Sequence, residues 1–191
     1  MSIILCPGIH EPGLTQSFVS AWLDRQARYG ATDRKIGDIL VFPTNGCLSL
    51  SALHIFKFLH ESLGNRLESP VVFISFSAGA VGAILAAHMW QIFGGHVKAF
   101  IAIDGWGVPL FGNFPIYRMS HDYFTHWSSC LLGSGHSNFY ADPSVDHLEM
   151  WRSPQTVHGY WVDSSTGDFL PKERLSAFEF LHLLVKRCEE N

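Results

Sequence analysis

A chain of 191 residues with a net charge of −4 is long enough for one packed domain and short for two, and its sparse charges form no basic cluster for nucleic acid or an anionic membrane. Apolar residues make up 47% of it, yet no apolar run approaches the ~20 residues that span a bilayer without glycine or polar interruption, so they are expected to build a core. Cys6, Cys47, Cys130 and Cys188 are widely spaced with no C-x-x-C pairing, as reduced thiols are, and an apolar run starting at Ile3 leaves no room for a signal peptide; the expectation is a cytoplasmic chain.

Short apolar runs alternate with longer amphipathic segments, the pattern of a mostly parallel sheet covered by helices on both faces. The first strand is expected from Ile3 to Cys6. A helix from Thr15 to Tyr29 follows, where Phe18 pairs with Trp22 and Val19 with Leu23 at helical spacing. After a strand from Ile39 to Phe42, the stripe Ala52, Phe56, Leu59, Leu63 marks a second helix that Gly64 stops. The strand Val71 to Ser75 runs into a helix rich in alanine and glycine, which Gly94-Gly95 ends. Strands are expected at Ala99 to Ile103, Ile116 to Met119 and Asn138 to Tyr140. Between the first two, Gly105 to Pro115 holds too many glycines and prolines for regular structure; its Trp and Phe residues either wall a cleft or pack on the sheet edge. Ser153-Pro154 starts a covering helix that includes His158. Pro171 opens a last one, with Leu175, Phe178, Leu181 and Val185 buried and Lys186 and Arg187 complementing its dipole. The fold class is therefore α/β: a three-layer sandwich around a sheet of about six strands, one domain over residues 1–191.

The chemistry centres on Ser75-Phe76-Ser77-Ala78-Gly79. An apolar strand ends there in a serine with small residues two positions before and two after it, and a helix follows. A serine presented as a nucleophile sits on a sharp strand-to-helix turn that admits only small neighbours, and Ser75 stands where glycine is usual. The same serine would alternatively serve as an ordinary N-cap. As a nucleophile Ser77 needs a histidine base and a carboxylate to orient it, drawn from loops at the C-terminal ends of the strands. Of eleven histidines, His54, His60, His88 and His182 fall within expected helices, and His96 precedes a strand. His10, the group His121, Asp122 and His126, and the segment from Asp142 to His147 remain, with His136 and His158 weaker.

With these residues on the page, the chain resembles a minimal α/β-hydrolase, similar in layout to small lid-less lipases and esterases. The resemblance runs from Ile3 to the helix near Ser153. It implies the order nucleophile, acid, histidine, which Ser77, Asp122 and His147 follow, with Asp104 the rival acid on the earlier strand. It also implies that Cys6-Pro7-Gly8-Ile9 is the oxyanion loop, with backbone N–H groups of Ile9 and Ala78 holding the developing charge and Pro7 where histidine is usual. The expected function is then hydrolysis of a carboxylic ester or thioester, the substrate a small molecule with an apolar acyl part. No cofactor or metal is expected. A non-catalytic binding protein on the same fold is the alternative; a nucleotide site at Gly79-Ala80-Val81-Gly82 lacks both glycine-rich phosphate motifs, and a metal site at His121, Asp122 and His126 lacks the H-E-x-x-H spacing.

Overall fold

The computed structural model describes residues 1–29, 38–43, 46–64, 66–133, 135, 137–163 and 171–190. Eight strands form one sheet: β1 (Ser2–Cys6), β2 (Ile39–Val41), β3 (Val71–Phe76), β4 (Val97–Ile103), β5 (Ile116–Ser120), β6 (Ser137–Ala141), β7 (His158–Asp163) and β8 (Pro171–Ser176). Their order across the sheet is β2-β1-β3-β4-β5-β6-β7-β8. The first six are parallel, and β7 and β8 extend the edge antiparallel. The helices are α1 (Pro12–Tyr29), α2 (Ala52–Leu63), α3 (Gly79–Ile92), α4 (Tyr123–Cys130), the single turn α5 (Glu149–Arg152) and α6 (Ala177–Glu190).

Strand side chains alternate between two buried clusters, as the period of two in a pleated strand requires. Ile3, Leu5, Val72, Ile74 and Ile101 pack with Phe18 and Trp22 of α1 and Phe178 and Leu181 of α6. Ile4, Cys6, Val71, Phe73 and Phe100 pack instead with Ile55 and Leu59 of α2 and Ala83, Ala87 and Trp90 of α3. The six expected strands are thus present in a sheet two strands wider than expected. No helix among the described residues is long and apolar enough to cross a membrane.

The departures lie near the C-terminus. No helix starts at Ser153-Pro154; α5 ends just before them, because proline forces the preceding residue out of helical geometry, and His158 opens strand β7 instead of lying in a helix. The last helix begins at Ala177 and not at Pro171. Its signal is a capping box: the Ser176 hydroxyl accepts from the Glu179 N–H at 3.2 Å, while the Glu179 carboxylate accepts from the Ser176 N–H at 2.8 Å. Leu175 therefore reaches the core from β8. His136 lies outside the described residues.

Candidate active site

The parallel strands all present their C-terminal ends at one edge of the sheet, and the loops there carry the candidate residues. At the end of β3, Ser77 has φ 51°, a left-handed conformation uncommon in a residue with a side chain, and α3 starts two residues later. Its N–H donates to the Ile103 carbonyl of β4 at 2.9 Å, fixing the turn to the neighbouring strand. Ser75 is fully buried, its hydroxyl donating to the Ile101 carbonyl at 3.3 Å. A Cβ on Gly79 would stand 2.4 Å from the Cys6 carbonyl oxygen and 2.5 Å from that of Pro7. The loop after β1 therefore lies directly on the elbow, and no side chain fits between them.

His147, in the loop after β6, faces this serine. Its Nε2 is 2.9 Å from Ser77 Oγ, and its Nδ1 is 2.9 Å from Asp104 Oδ2. A carboxylate only accepts, so Nδ1 carries the hydrogen and Nε2 offers its lone pair to the serine hydroxyl. The ring lies almost flat on Phe76, with centroids 4.8 Å apart. Phe76 in turn stacks on Trp151 of α5, and Trp151 on Phe18 of α1 at 3.9 Å. This aromatic column sets the plane of the imidazole. Phe76 and Trp151 had no sequence signal for that role beyond their apolar character.

Asp104 replaces the expected acid, Asp122, as the partner of His147. It stands at the end of β4, immediately beside β3, with φ 52° and its side chain 1% exposed. Its Oδ1 accepts from the His121 N–H at 2.8 Å. Asp122 lies past the end of β5 as the N-cap of α4, where Oδ1 accepts from the Thr125 N–H at 2.6 Å. Its other oxygen is 3.4 Å from His121 Nε2.

Arg118 of β5 holds the surrounding loops. Fully buried, it donates to the carbonyls of Gly105, Val108, Leu132 and Gly133 at 2.6–3.3 Å. Burial lowers its pKa to about 10, which keeps it charged at neutral pH. In the 105–115 loop, Val108, Leu110 and Phe114 pack on the core while Trp106 and Phe111 stay exposed. Val108, Leu110 and Phe114 thus follow the packing reading of that loop. The Trp106 indole N–H reaches Ser128 of α4 at 2.9 Å.

His126 does not join the site. It is buried against Tyr140, and burial, helped by the charge of Arg118, pushes its pKa down to about 4. Asp104, His121 and His147 bring their nitrogens and oxygens within 4.8 Å of one another. His147 Nδ1 is hydrogen-bonded to Asp104, and His121 Nδ1 stands at an ion-pair distance of 2.9 Å from the same carboxylate. His10 packs edge-on against Phe76. Among the described residues no backbone hydrogen bond leaves the N–H of Ile9 or Ala78. No protein-family model and no curated protein matches this chain.

Proposed function

We propose that the chain is a serine hydrolase of the α/β-hydrolase kind, a single domain with helices layered on both faces of the sheet, which cleaves a carboxylic ester or thioester through an acyl-enzyme. One observation carries the reading: His147 bridges Ser77 and Asp104 with a 2.9 Å contact to each. In the first step the Ser77 hydroxyl gives its proton to His147 Nε2 as Oγ bonds to the substrate carbonyl carbon. Asp104 holds the imidazole by Nδ1 and balances the positive charge it acquires. The carbonyl oxygen becomes an oxyanion, received by the N–H groups of Ile9 and Ala78, where loss of one donor removes ~3 kcal/mol of transition-state stabilisation. His147 then passes the proton to the departing alcohol or thiol. Water, deprotonated by the same ring, releases the acid and restores Ser77.

The exposed Ile9 and Trp106, on the loops after β1 and β4, favour an apolar acyl part on a small substrate. The four cysteines are free, which fits a cytoplasmic location. The test is labelling by a fluorophosphonate probe and turnover of p-nitrophenyl esters. Wild type should label and turn over, while Ser77→Ala should fold, escape the probe and lose several powers of ten in rate. Equal labelling and turnover in Ser77→Ala would overturn the reading.

A further inference from the structure

The acyl-transfer scheme leaves His121, at the end of β5, without a task. Its Nδ1 stands 2.9 Å from Asp104 Oδ2, the oxygen that also receives His147 Nδ1, and its Nε2 is 3.4 Å from Asp122 Oδ2. The His121 and His147 rings meet edge to face, centroids 6.0 Å apart. Both His121 nitrogens therefore face a carboxylate, whereas a neutral imidazole has a hydrogen on only one of them. The Nδ1 approach lies off the line of a hydrogen bond, and it is an ion pair when His121 is protonated.

The groups facing this ring come from three elements. Asp104 ends β4, Asp122 caps α4, and Asp146 and His147 belong to the loop after β6. The close Asp104 contact raises the His121 pKa above its ordinary value; partial burial opposes this, and the charges of Asp104, Asp122 and Asp146 reinforce it. His147 is the opposing cation when it is itself protonated.

We propose that His121 is a positioning residue which, as an imidazolium, shares Asp104 with His147 and so lets His147 release its proton and serve as base at lower pH than Asp104 alone would allow. The consequence for rate rests on the acyl-transfer reading of Ser77 and His147. A carboxylate held between two histidines stabilises the proton on either one less than it would stabilise a single partner.

His121→Gln removes the charge while keeping a polar side chain of similar reach. Asp122→Asn withdraws one of the carboxylates that keep His121 protonated, and asparagine caps a helix as well as aspartate does, so α4 keeps its start. Two readouts are taken on each protein: the pH dependence of kcat/KM for a p-nitrophenyl ester, and the NMR titration of the 15N-labelled His147 ring. In His121→Gln both midpoints should move to higher pH by about one unit, a tenfold loss on the acid limb. Asp122→Asn should move them the same way by less, and it decides the matter if His121→Gln fails to fold. Midpoints that stay in place or move to lower pH would overturn the proposal, even with a lowered plateau, since a purely structural prop changes the plateau and leaves the midpoint. A wild-type protein without esterase activity whose His147 midpoint still moves would sink the acyl-transfer reading and support the coupling.

Discussion

Asp104 and Asp122 show how burial separates two carboxylates of similar sequence context. Asp104 is almost sealed, while Asp122 is 29% exposed and occupied with capping. In the site as described, Asp104→Asn keeps shape but replaces an acceptor with an amide that favours the wrong imidazole tautomer, so turnover should fall by up to ~10⁴. Asp122→Asn should remain within a few-fold at pH values on the plateau, because its cap survives. Side-by-side kcat/KM values decide it. A large loss at Asp122 with a normal Asp104→Asn protein would return the acid to the later strand. The local pattern picked out Ser77 and His147, which the structure brings into contact, and preferred Asp122, whereas the carboxylate that meets His147 is that of the rival Asp104. The polar run His121-Asp122 looked like a site edge, and Asp104-Gly105-Trp106-Gly107 looked like a capped turn. What decides between them is that β4 lies next to β3, a fact of sheet order with no trace in local sequence.

Two elements hold the site's walls at fixed distances. The first is the seam between the β1 loop and α3, closed at Gly79. Gly79→Ala puts a methyl group 2.4 Å from a backbone oxygen that has no flexible end to swing aside, so loop and helix must part. The expected loss is roughly 3 kcal/mol of stability, and a drop in rate should accompany it because the parted loop carries Ile9. Urea unfolding together with ester turnover tests both. Unchanged stability would mean that the seam opens freely. The second is β5, whose buried Arg118 donates to four carbonyls. Arg118→Met fills much of the same volume but leaves the Val108 and Gly133 carbonyls without a donor, those of Gly105 and Leu132 keeping the N–H groups of Val108 and Leu110, which should destabilise by roughly 3 kcal/mol and release the loop after Asp104. Faster hydrogen exchange at residues 105–110 would report that release; exchange as slow as in wild type would show that the loop is held by its apolar residues alone.

Over the whole molecule, the six parallel strands were legible: β1, β3 and β4 as largely buried apolar runs, and β2, β5 and β6 as short segments with apolar or aromatic residues between turn signals. The two antiparallel strands were not. The run His158-Gly159-Tyr160-Trp161-Val162 follows Ser153-Pro154, which has the form of a helix start, and the capping box at Ser176 comes after Pro171, which has the same form. The folded chain also carries a titration no strand pattern would reveal. Burial holds His126 neutral to about pH 4, against an ordinary 6.5 once the chain unfolds. Between those values the unfolded state binds the extra proton, so stability is complete above pH 6.5 and falls as pH drops toward 4, below which both states are protonated and the contribution stays flat. The shift corresponds to roughly 3 kcal/mol. His121 works in the opposite sense: its raised pKa contributes stability that is full below the ordinary value and fades as pH rises through the folded one. The two are separable by His126→Phe, which retains a ring for stacking on Tyr140 but cannot titrate. Urea unfolding at pH 6.5, 5.5 and 4.5 should show wild type losing about 2 kcal/mol more across that range than His126→Phe. Parallel curves for the two proteins would show that the acid sensitivity of the fold lies elsewhere.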